Sequence, residues 1–335
     1  MELHKVPCTA GLNLQFRRCN LKRALISFFT LLVLHTALQA ATETKIAVGR
    51  NPDFVAVNSI TNRVYSSNAG DGTVSVIDGV TNKRMVTVAV GGMPQGIAVN
   101  SATNQIYVAL FDGLSSTVSV IDGSTNTVVA SLPVPGATYI AANSATNRIY
   151  VSDSDNTVRV IDGESNSVIA TISFSSVLEE LAVDPVRNLI YVTAVGTPPT
   201  IGVIDGATNE IVNTISVSEG QFLVGLAIDP SLNQIYASDT GRMKLFVVNG
   251  ATGTVVSGIA LPGAGNPKHA ALGTGHQVLV SDPSTGKIFF INGTTKALTR
   301  TIHLLYSPWG LQVNPVTNKI YVSLSQAVFV AAIAP

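Results

Sequence analysis

Cysteine is nearly absent. The two in this 335-residue chain, Cys8 and Cys19, both fall in its first twenty residues. Everything after them therefore lacks a disulfide framework, a thiolate metal site and a cysteine nucleophile. Charge is also scarce, at 12% of residues, and aromatics make up only 6%, with a single tryptophan. Five of the twenty basic residues and one of the twenty acids lie in the first forty positions, so the body carries a net charge near −4. That balance argues against non-specific binding to nucleic acid or anionic membrane, since both depend on basic patches. No phosphate-binding loop, Ser/His/Asp arrangement, haem motif or convincing helical periodicity is found. No cofactor is expected.

Hydrophobic residues, at 46%, are plentiful, and they come with Val, Ile, Thr, Ser, Asn and Gly. This is a vocabulary of strands and turns. The first forty residues differ. A basic stretch, "FRRCNLKR" (Phe16 to Arg23), precedes the apolar run "ALISFFTLLVL" (Ala24 to Leu34) and small residues near Ala40. Residues 1–41 therefore read as a signal peptide, cleaved near Ala40 or Ala41. "RRCNLK" resembles a twin-arginine export motif with Asn20 in place of its aromatic. The alternative is an uncleaved anchor, the one way this chain would meet a membrane. An exported location follows: periplasm, cell surface or outside the cell.

From residue 42 onward the sequence repeats. "AVNSITNRVYSS" places Tyr65, and related segments place Tyr107, Tyr150, Tyr191, Tyr236, Leu279 and Tyr321, at spacings of 42, 43, 41, 45, 43 and 42. A second motif, "VIDGSTN", recurs at Asp78, Asp122, Asp162 and Asp205, and then as Asn249 and Asn292. Each unit contains four short apolar runs rich in β-branched residues and bounded by turn residues. Four strands in about 43 residues is the signature of a propeller blade. The expected fold is all-β: one seven-bladed β-propeller over residues 42–335 with four-stranded blades. The second motif occurs six times, and the last unit stops one strand short. "TKIAVGRNP" near the start matches the end of a unit. Thr44 to Val48 is therefore expected to supply the outer strand of the last blade and close the ring.

The run "NxxTNxIYV…TVSVIDGxTNxVVxTI", with fragments such as "YVTA", "YVSD" and "YVSL", resembles the YVTN-type β-propeller repeat of surface-layer-associated and YncE-like exported proteins. The resemblance covers nearly everything after residue 43. It implies an exported seven-bladed propeller acting as a binding or scaffolding module. It carries no catalytic motif. One branch of the family is associated with DNA, a partner that the acidic body does not favour.

With strands lettered A to D outward from the channel, the A–B and C–D turns share one face, called the bottom. Both repeated motifs fall there. Asp or Asn before Gly supplies tolerance of positive φ and a side chain that bonds its own backbone. Two copies carry Asn, which keeps the acceptor oxygen without charge or basicity, so Asp78, Asp122, Asp162, Asp205, Asn249 and Asn292 are read as turn residues. "SDSDN" (Ser152 to Asn156) is read as a solvated B–C turn rather than a calcium loop.

Function is expected where the repeats differ, at the D–A crossovers that feed the channel mouth on the top face. These carry Asp53 and Phe54, Gln95, Thr138 and Tyr139, Glu179 and Glu180, Val224, Lys268 and His269, and Trp309. Strict alternation along a strand would aim only one of the two glutamates at the channel. The main expectation is a non-catalytic monomer that binds a protein, an envelope polymer or a small-molecule ligand through this mouth. Two alternatives stand beside it. One is a metal-assisted hydrolase or lyase, with His269 as base and Glu179, Glu180 and Asp53 as ligands or acids. The other is a structural surface-layer component. His276 is expected on the bottom face as a solvent residue and His303 near the outer rim.

Overall fold

The computed structural model describes residues 43–112 and 115–334. The leader expected over residues 1–41 lies outside them. Strand β1 is Glu43–Ala47. The first blade is β2 (Pro52–Asn58), β3 (Arg63–Asn68), β4 (Thr73–Asp78) and β5 (Lys83–Ala89). The second is β6 (Met93–Asn100), β7 (Gln105–Phe111), β8 (Thr117–Asp122) and β9 (Thr127–Pro133), and the third β10 (Ala137–Asn143), β11 (Arg148–Asp153), β12 (Thr157–Asp162) and β13 (Ser167–Ser173). The fourth is β14 (Leu178–Asp184), β15 (Leu189–Ala194), β16 (Thr200–Asp205) and β17 (Glu210–Ser216). The fifth is β18 (Leu223–Asp229), β19 (Gln234–Asp239), β20 (Lys244–Asn249) and β21 (Thr254–Ala260). The sixth is β22 (Ala270–Leu272), β23 (Gln277–Asp282), β24 (Lys287–Asn292) and β25 (Ala297–His303). The seventh is β26 (Ser307–Asn314), β27 (Lys319–Ser325) and β28 (Phe329–Ile333), completed by β1.

The chain is thus a seven-bladed β-propeller of antiparallel four-stranded sheets. The ring closes as the repeat count predicts: β1 pairs with β28, with Glu43 opposite Ile333 and Ala47 opposite Phe329. Each sheet begins and ends on an edge strand. The inner edges belong to strand A, so unpaired backbone groups of seven A strands face the channel. Side chains of these strands point sideways into the neighbouring blades, where the core lies. Tyr65, Tyr107, Tyr150, Tyr191, Tyr236 and Tyr321 are all buried there, and Leu279 takes the seventh position.

Two of these tyrosines and the bottom-face turns clasp neighbouring blades. Tyr107 donates its hydroxyl to Gln105 Oε1 in its own blade at 2.8 Å and lies 3.1 Å from Asn166 Oδ1 of the next. Tyr321 donates to Asn82 Oδ1 at 2.8 Å across the ring closure. Burial pushes the phenols of Tyr107, Tyr150, Tyr236 and Tyr321 up to about 12, so they remain neutral; among the described residues the Tyr65 and Tyr150 hydroxyls have no hydrogen-bond partner. The A–B turns interlock in the same way. Asn58 Nδ2 reaches Asn104 Oδ1 at 2.8 Å, Asn100 reaches Asn147 at 2.6 Å, and Asn143 reaches Asn188 at 2.8 Å.

The six C–D turns do what their carboxamide or carboxylate oxygens allow. Asp122 Oδ1 accepts the Ser124 N–H at 2.7 Å and its hydroxyl at 2.6 Å; Asn249 Oδ1 accepts the N–H groups of Ala251 and Thr252. Hydrogen bonds from Thr81, Ser124 and Ser165 hold Asp78, Asp122 and Asp162 below the usual carboxylate range. One detail of the expectation needs correction. Positive φ falls not on the Asp-Gly pair but on the Asn of the following "TN", three residues after the glycine, which the turn chemistry also allows, as at Asn82 (56°) and Asn126 (57°). The glycine is required for space: a Cβ on Gly79 would lie 2.3 Å from Asn62 Oδ1. Because only the oxygen is used, Asp122→Asn should leave the denaturation midpoint almost unchanged. Asp122→Ala should cost about 1 kcal/mol, read by urea unfolding.

Candidate functional site

Six of the seven A strands carry a register break at the position where the crossover enters the blade. The pairing shifts between Pro52 and Val55, Pro94 and Ile97, Ala137 and Tyr139, Leu178 and Leu181, Leu223 and Leu226, and Pro308 and Leu311. In the sixth blade, Lys268 and His269 instead bracket Ser281, through Lys268 N–H to Ser281 O and Ser281 N–H to His269 O. A bulge turns its extra residues out of the regular alternation. Here it takes them from between the blades toward the ring axis.

Contacts between blades that are not neighbours demonstrate this aim. Phe54 of blade one meets His269 of blade six edge-on, with ring centroids 4.6 Å apart, and Tyr139 of blade three at 5.8 Å. His269 Nδ1 lies 3.1 Å from Glu180 Oε2 of blade four. Trp309 of blade seven stacks obliquely on His269 at 5.6 Å, and the Lys268 ammonium sits 5.3 Å over the Trp309 ring. Tyr139 donates its hydroxyl to Glu179 Oε2 at 2.9 Å. Side chains of five blades thus meet at the mouth.

Glycines make the convergence possible. The second bulge position reads Phe54, Gly96, Tyr139, Glu180, Gly225, His269 and Gly310 around the ring. Each glycine precedes a large side chain of the next blade. A Cβ on Gly225 would lie 2.1 Å from Lys268 O, and one on Gly310 2.7 Å from Asp53 O. Hydroxyls of the "YVS/YVT" segments latch the crossovers from the adjacent blade. Ser67 Oγ donates to Gln95 O at 2.6 Å, Thr193 Oγ1 to Val224 O at 2.8 Å and Ser281 Oγ to Trp309 O at 2.6 Å. The second blade has Ala109 at this position.

Electrostatically the mouth is under tension. Burial raises the Asp53 carboxyl from 3.8 to about 6, against the pull of His269 and Lys268. Burial also raises Glu180, with His269 opposing. Tyr139 is raised well above 10 by burial and by Glu179, Glu180 and Asp53 together. His269 is 2% exposed, and its Nε2 is buried without a hydrogen-bond partner among the described residues. Beneath this layer the channel holds a cavity of about 320 Å³ bordered by Phe54, Tyr139 and Glu180.

The structure therefore brings Asp53, Phe54, Tyr139, Glu179, Lys268, His269 and Trp309 into one cluster. Glu180 belongs there too. The expectation that one glutamate must point away fails, because the bulge between Leu178 and Leu181 breaks the alternation. Gln95 offers its main-chain carbonyl to Ser67, Thr138 bonds Ser152 O, and Val224 is buried; their side chains are not among the contacts that build the cluster.

On the opposite face His276 does more than meet solvent. Its Nδ1 lies 2.7 Å from Asp229 Oδ2 and ties blade six to blade five, where Asp229 replaces the clasping asparagine. Asp153 of "SDSDN" is occupied by its own turn, by Thr157 and by Arg159 Nε at 2.8 Å. His303 ends the outer strand β25 and is exposed. Among the described residues no group of three or more His, Cys, Asp or Glu side chains is placed to hold a metal ion.

A solved structure of hydrazine synthase from Kuenenia stuttgartiensis is similar to this chain, with a TM-score of 0.79 at 16% identity over 89% of this chain and 99% of that one. No family model matches the chain. No curated protein matches it either. At this identity the likeness supports the propeller fold and nothing more specific.

Proposed function

We propose that the chain is an exported binding propeller that engages its partner through the channel mouth. The repeats resemble the YVTN type, and the leader over residues 1–41 fits export as a monomer to the periplasm or cell surface. One observation supports the mouth above all: side chains of five blades meet there, with two acids whose carboxyls burial has raised. A protein stabilised only for its fold gains nothing from such acids, whereas binding sites commonly hold groups displaced in this way. Half-exposed Lys268 and Trp309 form the outer layer that a partner meets first.

The test is a pull-down from envelope extract that compares wild type with Trp309→Ala/Tyr139→Ala. The variant should lose at least one partner that the wild type recovers. Equal recovery of every partner would overturn the reading.

A further inference from the structure

We infer that the mouth recognises a protonated amine: a small organic cation that still carries N–H donors, placed among Asp53, Glu179 and Glu180 and against the faces of Tyr139 and Trp309. This deepens the binding reading above and rests on it. Three independent features point the same way.

The first is charge. Asp53, Glu179 and Glu180 are three carboxylates, and among the described residues Lys268 is the one permanently cationic side chain that meets them in the cluster. His269 adds a second positive charge only when protonated. In a site this desolvated, surplus carboxylate is costly unless a cation joins it. An anionic ligand would add to the surplus.

The second is the aromatic wall. Phe54, Tyr139 and Trp309 surround the same point, and ring faces attract cations. The Lys268 ammonium already occupies one such position, 5.3 Å over Trp309. It shows that an alkylammonium fits there, and its long flexible stem lets it swing out when another takes its place.

The third is His269. When the ring is neutral and Glu180 ionised, Nδ1 carries the hydrogen of their 3.1 Å contact, and Nε2 is then an acceptor. That atom is buried and has no partner among the described residues. A buried acceptor without a donor costs on the order of 1–3 kcal/mol. It calls for an N–H or O–H group, which a quaternary ammonium does not have.

The sole tryptophan of the chain lies in the site, so its fluorescence reports binding directly. The experiment titrates the full chain with benzylamine, benzyl alcohol, benzoate and benzyltrimethylammonium at pH 8. Benzylamine should give a saturable change, benzyltrimethylammonium should bind at least tenfold more weakly, and benzyl alcohol and benzoate should give none. Glu180→Gln and Asp53→Asn should each weaken benzylamine at least tenfold, with a cooperative melt no less stable than that of the wild type as the check on folding. Benzylamine affinity should also fall between pH 8 and pH 5, as Asp53 takes up its proton.

Benzoate binding as tightly as benzylamine would overturn the inference, as would full benzylamine affinity in both variants or no saturation by benzylamine. Equal affinity for the quaternary ammonium would remove the role given to Nε2. If benzylamine fails while the pull-down still depends on Trp309 and Tyr139, the cation assignment falls and the mouth stands. If both fail, the mouth falls with it.

Discussion

Asp53→Asn is expected to make the propeller more stable at pH 7 and to leave it no more stable at pH 4. The carboxyl sits near 3.8 in the unfolded chain and about 6 in the folded one, with burial as the main cause. Between these values the folded chain holds a proton that the unfolded chain has released. Stability therefore falls as pH rises from 4 to 6 and stays lowered above that window. A shift of this size corresponds to about 3 kcal/mol. Asparagine keeps the shape without ionising, so at pH 7 it should regain up to that amount. At pH 4, where Asp53 is protonated in the folded state, the gain should vanish. Urea unfolding at pH 4, 5.5 and 7, followed by Trp309 fluorescence, measures all three. A loss of stability at pH 7 would mean that the carboxylate is well paired where it sits. The same substitution is expected to weaken amine binding, the exchange of stability against function that a binding site shows.

The second large effect concerns the ring closure. Ile46 is 3% exposed and packs with Val55, Val64 and Val330 across the joint between the first and last blades. Ile46→Ala should lower stability by about 2–5 kcal/mol, since the cavity is shared by two blades that the ring holds apart. Removing Glu43 to Val48 should do more. It strips β28 of its outer partner, leaving only β27, and exposes Val330, Ala331, Ala332 and Ile333 along a bare edge. Such an edge pairs with whatever strand it meets. Analytical ultracentrifugation should show concentration-dependent self-association and a lowered urea midpoint. A truncated chain that stays monomeric with an unchanged midpoint would refute the closing role of β1.

What was legible in the sequence depended on repetition. The four-strand unit follows from apolar runs between turn residues, and the missing seventh "VIDG" segment leads to the closing strand. Both are local patterns that hold wherever the blades sit. That the turns need the acceptor oxygen could be read from Asn249 and Asn292; the ion pair that Asp162 adds with Arg148 could not. The mouth could be located only by elimination, as the place where equivalent positions carry unlike side chains.

Three features of the mouth were not legible, for one reason. The side-chain direction of Glu180 depends on a bulge that alternating hydrophobicity does not reveal. Gly96, Gly225 and Gly310 are needed because the next blade comes close, and not because of their own backbone angles. Ser67, Thr193 and Ser281 act on carbonyls of another blade. The second-position series, Phe54 to Gly310, did contain a signal of alternating bulk, but its meaning requires the ring.

The sequence by itself determined the number of blades, the four-strand unit, the closing strand and the chemistry of the turns, because hydrophobic period and turn preference act over a few residues. Only the tertiary structure decided that Asp53, Tyr139, Glu180, His269 and Trp309 form one site. Those residues are separated by up to 256 positions in sequence, and they meet because closing the ring turns six bulges and the Lys268–His269 crossover toward a common axis. The burial that follows from this closure also raises the two acids and leaves a histidine nitrogen without a partner among the described residues.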